Sequence, residues 1–361
     1  MTRSLVSCAL TLSLRMTNSA LRSETDRFTM LETGRFLNGS KGWSVVTSPS
    51  GGPYPNHRLQ QFTQREASEM PSTEPRPTIH IPGTTSHTIA PREGHGSDEG
   101  TLRYLRAGAG APVVLLHTVR TQAEHFRSLI PLIADQYTVY ALDLPGMGYS
   151  EIVPGASYDE PAMRAGVKRL LTELDLHDVT LVGESMGAVL ALTTAADLPE
   201  RVRRVVAVNA YDFRGGIARS SLLARVVVSG VLTPGVGAVV AGVEPKPVVR
   251  RILQGGLVDK SALREDYLDE LLQVGRRPGY PSVARAVYQS MPSLIAARSR
   301  YPEVKAPVHL VYGEKDWSRP SDRQADKELL PAADFTQVPG AGHFIALERP
   351  DLLADLLNAV A

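Results

Sequence analysis

The sequence predicts an α/β fold, a doubly wound, mostly parallel sheet with a helical cap insertion. From residue 112 to residue 208, continuous apolar runs of strand length alternate with helical patterns. The alternation stops over residues 212–301, where the pattern is mainly helical, and then resumes. A chain of 361 residues accommodates one large domain with an insertion or a tail. We therefore expect a core of residues 85–211 and 302–361 and a cap of residues 212–301.

Residues 1–84 are the least patterned part of the sequence. They are rich in Ser, Thr, Gly and Pro and show no sustained apolar period, so they cannot bury enough apolar surface to offset the entropy lost on ordering. We expect a disordered extension; alternatively, translation starts at Met30 or Met70. The apolar run near the N-terminus is short and interrupted, and Cys8 stands too early for a lipid anchor. We expect a cytoplasmic protein, with export or lipid anchoring as the alternatives.

Composition and charge narrow the classes of partner. The formal net charge is +1 and no basic stripe with interleaved aromatic residues occurs, which argues against nucleic acid. Cys8 is the one cysteine, which excludes an intrachain disulfide and a cysteine metal cluster. No group of ligand-type residues has metal spacing, and no Walker-type lysine occurs. We expect a small-molecule substrate and neither metal nor cofactor, and the oligomeric state stays open.

Apolar runs and flanking turn residues place the strands and helices of the core. The predicted strands are 87–90, 101–105, 112–116, 137–142, 178–182, 202–208, 307–312 and 335–338. The predicted helices are 122–134, 158–174, 186–197, 321–330 and 351–360. The strand at 112–116 is apolar throughout, as expected of a strand that is buried on both faces of a sheet.

The predicted cap contains a long uncharged run. Residues 226–243 hold no charged side chain over 18 positions, which is long enough to consider a membrane span. Pro234 and four glycines interrupt the run, which also lies between two halves of a predicted sheet. We therefore predict no transmembrane segment. We expect the run to form the apolar underside of a cap that lines a pocket, with ordinary packing of cap on core as the alternative.

A nucleophile turn is predicted at residues 183–187, which read Gly-Glu-Ser-Met-Gly. The motif lies between an apolar strand and an apolar helix, and this context separates a nucleophile elbow from a chance pair of glycines. Small residues are required two positions from Ser185 on either side, because the strand and the helix approach closely there. The turn leaves the Ser185 hydroxyl exposed at the carboxyl edge of the sheet.

A serine hydroxyl needs a base, and the base needs a third group that holds its tautomer. His343 lies in a glycine-rich loop after one predicted strand, and Asp316 lies in the loop after the preceding strand. The chain order Ser, Asp, His is the order that accompanies a nucleophile elbow. We predict Ser185, Asp316 and His343 as the catalytic residues, with Asp212 as the alternative acid.

Five stretches together resemble the α/β-hydrolase fold superfamily, in its capped serine hydrolase branch. They are Leu115-Leu116-His117, Asp143 to Ser150, Gly183 to Gly187, Gly313 to Asp316 and Gly340 to His343. The resemblance extends from about residue 87 to the C-terminus, and it is specific for fold and catalytic machinery rather than for substrate. It disfavours dehalogenases and epoxide hydrolases, which in this superfamily use an aspartate where this chain has a serine.

The loop after the third predicted strand departs from the pattern of the resembled superfamily. Capped members usually read His-Gly-x there, whereas residues 117–120 of this chain read His-Thr-Val-Arg. By the family motif, the oxyanion hole is expected to use the backbone N–H groups of Met186 and Val119. Thr118 cannot reach positive φ as cheaply as glycine, so we expect either a rebuilt loop with the same N–H in place or an altered hole.

Thr118 and Arg120 are candidates for substrate binding. The guanidinium of Arg120 is suited to a substrate carboxylate, and the alternative is an ion pair, for example with Glu124. The sequence thus predicts a serine hydrolase that cleaves a small, largely apolar ester, lactone or related acyl substrate through an acyl-enzyme. The alternatives are a C–C bond hydrolase acting next to a ketone, or a slow-turnover ligand sensor of the same fold.

Overall fold

A single sheet positions every candidate residue. The computed structural model describes residues 76–92 and 99–359. The strands are β1 (Thr84–Ile89), β2 (Leu102–Ala107), β3 (Ala111–Leu116), β4 (Tyr137–Leu142), β5 (Val179–Glu184), β6 (Val202–Val208), β7 (Val308–Gly313) and β8 (Asp334–Val338). Their order is β1-β2-β4-β3-β5-β6-β7-β8. β1 and β2 pair antiparallel with their neighbours, and β3 to β8 run parallel. The predicted α/β fold with a mostly parallel sheet is confirmed.

Helices connect the strands and cover both faces of the sheet. The α-helices are α1 (Ile130–Ile133), α2 (Glu160–Glu173), α3 (Met186–Asp197), α4 (Leu222–Leu232), α5 (Gly237–Gly242), α6 (Lys246–Gln254), α7 (Glu265–Gly275), α8 (Tyr280–Gln289), α9 (Met291–Ala297), α10 (Pro320–Leu329), α11 (Ile345–Glu348) and α12 (Pro350–Asn358). Short 3-10 helices lie at Ala123–Phe126, Gly216–Arg219, Lys260–Ala262 and Arg298–Glu303.

The packing on the two faces of strand β3 explains why its sequence is apolar. Val114 and Leu116 belong to a hydrophobic cluster that includes residues of α2 and α3. Val113 and Leu115 belong to a second cluster, which includes residues of α1 and α12. Since successive side chains of a strand point to opposite faces, each face of the sheet needs its own apolar residues, and the doubly wound arrangement follows.

The predicted helix over residues 122–134 is wrong. The segment forms the 3-10 helix Ala123–Phe126 and then the short helix α1. Pro131 has no N–H group to donate to the carbonyl of Arg127, so the two pieces do not merge into one helix. The other core helices begin and end within about two residues of the predicted positions, which is the ordinary uncertainty of helix ends.

The residues between β6 and β7 form helices α4 to α9, here called the helical insertion (residues 212–301). Pro247, Pro281 and Pro292 lie in the first turns of α6, α8 and α9, where the missing N–H costs no hydrogen bond. The uncharged run 226–243 is divided between α4 and α5. Within residues 76–92 and 99–359, no helix has both the length and the apolar character needed to cross a membrane.

The start of the described region packs on the rest of the chain. Ile81 is buried, and the backbone N–H of Thr78 donates to the Glu270 carboxylate at 2.9 Å. The remainder of the predicted extension, with Cys8, Met30 and Met70, lies outside the described residues.

Candidate active site

Ser185 lies at the sharp turn between β5 and α3. Its backbone has φ 60° and ψ −115°, a conformation that is strained for a residue with a side chain. The turn is held from below, because the Ser185 N–H donates to the carbonyl of Val208 on β6 at 2.8 Å. The side chain is thereby placed at the carboxyl edge of the sheet, next to the first turn of a helix.

The two glycines of the motif are required by close backbone approaches. A Cβ on Gly183 would collide with the carbonyl of Gly187, and a Cβ on Gly187 would collide with the carbonyl of Leu116 on β3. Any larger residue would therefore push α3 away from the sheet and move Ser185. The glycines act through space and not through chemistry.

His343 and Asp316 stand next to Ser185. The His343 Nε2 atom lies 2.9 Å from the Ser185 Oγ atom, and His343 Nδ1 contacts the Asp316 carboxylate. The side chains of His343 and Asp316 are fully buried. The second carboxylate oxygen of Asp316 accepts a hydrogen bond from the Ser318 N–H at 2.9 Å. The structure thus brings the three predicted catalytic residues into one chain of contacts.

The environment of Asp316 favours its charged form. Burial by itself would raise the pKa of this carboxyl, but the charge and hydrogen bond of His343 and the hydrogen bonds from Ser318 hold the pKa below its ordinary value. An ionised Asp316 is therefore available to His343 down to low pH.

Asp212, the alternative acid, belongs to a different hydrogen-bond network. Its carboxylate accepts a hydrogen bond from the Tyr301 hydroxyl at 2.7 Å and lies 3.7 Å from the Arg298 guanidinium. Burial, together with the neighbouring Asp326, raises the pKa of Asp212 well above its ordinary value. The contact to His343 Nδ1 is made by Asp316, so the geometry favours Asp316 over Asp212.

His117 fixes the loop that departs from the family pattern. Its Nδ1 atom lies 2.8 Å from the Thr118 carbonyl, and the Leu144 N–H donates to its Nε2 atom at 3.0 Å. Complete burial lowers the pKa of His117 to about 3, because desolvation disfavours the charged ring. His117 is therefore a neutral structural residue with its proton on Nδ1.

The loop reaches positive φ two residues later than expected, at Arg120 rather than at Thr118. Arg120 has φ 60°, and Thr118 is not among the residues with positive φ in the described part of the chain. Thr118 is buried, and its carbonyl accepts hydrogen bonds from the N–H and the hydroxyl of Thr121 at 3.3 and 2.9 Å. The backbone strain that a glycine usually absorbs is thus carried at Arg120.

Arg120 pairs with the helical insertion. The suggested partner, Glu124, is wrong, because Glu124 is held by Arg103 at 2.7 Å. The Arg120 guanidinium instead contacts the carboxylate of Glu244 and lies 5.7 Å from the centre of the Tyr280 ring. Arg120 and Glu244 therefore neutralise each other across the gap between the loop and the insertion.

Sequence reasoning missed two groups around the site. The ring of Trp317 stacks on the His343 ring, with centroids 3.7 Å apart and planes at 14°. The fully buried Glu184 accepts a hydrogen bond from the Ala346 N–H at 2.9 Å and contacts His125 Nε2. An aromatic residue directly after Asp316 and an acid directly before Ser185 were the available signals in the sequence.

A pocket lies above Ser185, between the sheet edge and the helical insertion. It holds about 940 Å³, part of which is open to solvent. Its lining is mostly apolar, and within the described residues Arg120 and Glu244 are its charged members. The apolar residues of the insertion in this lining are Ile217, Val227, Val231, Val240, Ala241, Val243, Val248, Val249, Ile252, Leu253, Leu271 and Met291.

The site contains no arrangement suited to a metal ion. Within the residues that the structure describes, no group of three or more His, Cys, Asp or Glu side chains is placed to hold one.

Comparisons with known proteins place this chain among hydrolases. A family model described as "Alpha/beta hydrolase family" matches residues 113–356. The 2-hydroxy-6-oxo-2,4-heptadienoate hydrolase of Pseudomonas putida is 25% identical over 261 residues, which cover 70% of this chain and 89% of that protein.

Two solved structures show the same fold. Cfl2 from Burkholderia cenocepacia matches with a TM-score of 0.67 and 22% identity, and the match covers 80% of this chain and 98% of the Cfl2 chain. The epoxide hydrolase CorEH matches with a TM-score of 0.64 and 24% identity, and the match covers 76% of this chain and 98% of the CorEH chain. At these identities the structures support the fold alone, whereas the family model spans more than half of the sequence. The chain belongs to the alpha/beta hydrolase family.

Proposed function

We propose that this protein is a serine hydrolase that cleaves a small, largely apolar ester, lactone or related acyl compound through an acyl-enzyme. The observation that carries the proposal is the chain of contacts from Asp316 through His343 to Ser185 at the base of an apolar pocket. Nucleophile, base and orienting acid in this order are the arrangement that acyl transfer requires.

In the proposed reaction each of the three side chains has one role. An ionised Asp316 accepts a hydrogen bond from the Nδ1–H group of His343, which keeps Nε2 unprotonated and 2.9 Å from the Ser185 hydroxyl. Ser185 Oγ attacks the substrate carbonyl while its proton passes to His343 Nε2. The tetrahedral intermediate then expels the leaving group, which takes that proton from His343. Water, deprotonated by His343, attacks the acyl-enzyme and releases the acid, and the proton returns to Ser185.

The developing oxyanion is assigned to two backbone N–H groups. Met186 is the first residue of α3, so its N–H has no partner within the helix and lies at the positive end of the helix dipole. Val119 follows Thr118 in the loop that His117 fixes, and both line the pocket beside Ser185. Donors that are held rigidly in a dry site stabilise the oxyanion without reorganising during the reaction.

Charge in the pocket favours an uncharged substrate. Arg120 is occupied by Glu244, and the rest of the lining is mostly apolar. A substrate carboxylate would have to displace Glu244 and leave its charge without a partner. With the insertion acting as a cap, the pocket fits a neutral acyl chain.

Exchange of the nucleophile tests the proposal. We expect Ser185→Ala to abolish hydrolysis of p-nitrophenyl acetate and butyrate, and we expect a fluorophosphonate to label Ser185 in the wild-type protein. Ser299→Ala changes an exposed serine outside the pocket and should leave both readouts intact. Unchanged hydrolysis in Ser185→Ala would refute the proposal. Failure of the probe to label a folded wild-type protein would instead favour a ligand sensor.

C–C bond hydrolysis next to a ketone is the second candidate. A relative is named for an oxo-dienoate substrate, and Arg120 is a cation in the pocket that suits a carboxylate. Comparing turnover of a vinylogous diketone with that of simple esters separates the two reactions. Glu244→Gln sharpens the comparison: freeing Arg120 should raise kcat/KM for a carboxylate-bearing ester relative to p-nitrophenyl butyrate. No change in that ratio would exclude Arg120 from substrate binding.

A further inference from the structure

The helical insertion exposes an apolar surface on its outer side. Among the residues that the structure describes, eight large apolar side chains are exposed, and six of them fall between residues 222 and 243, with exposures from 39% to 72%. Val243 also lines the pocket, so we call the other five the outer apolar face: Leu222, Val226, Leu232, Val236 and Val239. Concentration of this kind is unusual, because exposed apolar side chains on a soluble protein are normally scattered.

Helical spacing places a pair of these side chains on one side of each helix. Leu222 and Val226 are four residues apart on α4, and Val236 and Val239 are three residues apart at the start of α5. The opposite sides of the same two helices are also apolar, since Val231 and Val240 line the pocket. A helix that met only core and water would carry polar residues on its outer side, so the outer apolar face indicates a partner.

The charged residues near this face along the chain are mostly basic, and three of them are paired with acids of other segments: Arg219 with Asp322, Lys246 with Asp269, and Arg250 with Glu265. Residues 226–243 carry no charged side chain, and residues 213–258 contain six Lys or Arg residues against a single acid, Glu244. Glu244 is paired with Arg120 toward the pocket. Arg225 lies between Leu222 and Val226 on α4 and is exposed, and within the described residues it has no acidic side chain at ion-pair distance. An exposed apolar surface with the unpaired Arg225 beside it is complementary to an anionic lipid surface.

We propose that the outer apolar face docks this protein peripherally on a bilayer that contains anionic lipids. The valine and leucine side chains enter the headgroup region, and Arg225 contacts lipid phosphate. None of the described helices spans a membrane, so attachment is in the plane of the surface. A second copy of the chain is the weaker partner, because a symmetric contact would set like charges against each other. The proposal does not rest on the proposed hydrolase activity.

Vesicle binding by the full-length protein tests the proposal. We expect co-sedimentation with vesicles of phosphatidylcholine and phosphatidylglycerol, weaker binding to pure phosphatidylcholine, and weakening of the anionic component by salt. Val239→Ser should reduce partitioning about tenfold, because it withdraws buried methyl groups from the lipid. Arg225→Gln should reduce it about fivefold on anionic vesicles and leave binding to phosphatidylcholine unchanged.

The control is an equivalent change on another surface. Leu132 on α1 is 49% exposed and lies outside the insertion, so Leu132→Ser should bind as the wild type does. Ser185→Ala should also bind normally, which keeps this test separate from that of the hydrolase. Absence of binding to anionic vesicles, or equal loss in Leu132→Ser, would overturn the proposal. So would a concentration-dependent dimer, measured by sedimentation equilibrium, that Val239→Ser dissociates while vesicles are not bound.

Discussion

Two buried aspartates at the same edge of the sheet make an instructive pair. Asp212 follows β6 and Asp316 follows β7, the neighbouring strand, and both side chains are fully buried. Their neighbours differ. Asp316 receives hydrogen bonds from Ser318 and contacts His343, whereas Asp212 shares a buried site with Asp326 and receives a hydrogen bond from Tyr301.

The difference in neighbours sets the pKa values of the two carboxyl groups in opposite directions. Burial raises both, but contacts with His343 and Ser318 more than offset it at Asp316, while the like charge of Asp326 adds to it at Asp212. The same residue type, fully buried after each of two neighbouring strands, is thus favoured in its ionised form at Asp316 and in its protonated form at Asp212. Burial alone does not decide which aspartate can serve a histidine.

The largest expected effect comes from neutralising Asp316. Asp316→Asn keeps the size of the side chain but loses the anion that holds the Nδ1 proton of His343, so we expect kcat toward p-nitrophenyl butyrate to fall by about 10³- to 10⁴-fold. Circular dichroism confirms that the variant is folded. A loss of less than tenfold would remove Asp316 from the proposed machinery.

Replacing a third buried acid, Glu184, should have an intermediate effect on kcat. Glu184 joins the turn at Ser185 to the His343 loop through the Ala346 N–H, and it therefore acts as a positioning residue. We expect Glu184→Gln to lower kcat by about tenfold to a hundredfold through misalignment, with KM nearly unchanged. Glu160 is also buried, but it accepts a hydrogen bond from the Thr193 hydroxyl at 2.6 Å. If Glu160→Gln lowers kcat as much, the effect of Glu184 is general destabilisation rather than positioning.

Asp212→Asn should have the smallest effect on turnover. Asp212 touches Tyr301 and the Arg298–Asp326 pair rather than His343, and asparagine resembles its protonated form. We expect kcat close to that of the wild type. A loss comparable to that of Asp316→Asn would reverse the assignment of the two aspartates.

The two variants should also differ in the pH dependence of stability. A carboxyl whose folded pKa is raised, as at Asp212, stabilises the fold below its unfolded value of 3.8 and loses that contribution as pH rises. A carboxyl whose folded pKa is lowered, as at Asp316, contributes above 3.8 and loses its contribution as pH falls. Relative to the wild type, Asp212→Asn should gain free energy of unfolding with rising pH, by at most about 1.4 kcal/mol per pH unit.

Urea titrations across the acid and neutral range measure this difference. The free energy of unfolding of the wild type, taken relative to that of Asp316→Asn, should fall as pH drops below 3.8. Taken relative to that of Asp212→Asn, it should fall as pH rises above 3.8. Parallel curves for the two variants would contradict the opposite pKa shifts on which the comparison depends.

Local patterns of the sequence were sufficient to predict the sheet, the turn at Ser185 and the candidate site residues. Apolar runs at strand spacing predicted the parallel sheet, because each residue of a strand buried on both faces must be apolar. The glycines around Ser185 predicted the turn, because no larger residue fits the backbone approaches there. The order of Ser185, Asp316 and His343 along the chain predicted which side chains to look for at the sheet edge. Each of these features depends on neighbours that are close in sequence or on a fixed motif.

Tertiary structure decided the partners. From the sequence alone, either Asp212 or Asp316 could be the acid that orients His343, and Glu124 was suggested as the ion-pair partner of Arg120. The sequence also predicted a helix that continues through Pro131, and it predicted no role for Trp317. These features depend on contacts between distant segments: His343 selects Asp316, Arg103 occupies Glu124, and the insertion supplies Glu244 to Arg120. The charge of a buried group and the direction of an ion pair follow from what surrounds them in space, and a one-dimensional pattern does not contain that information.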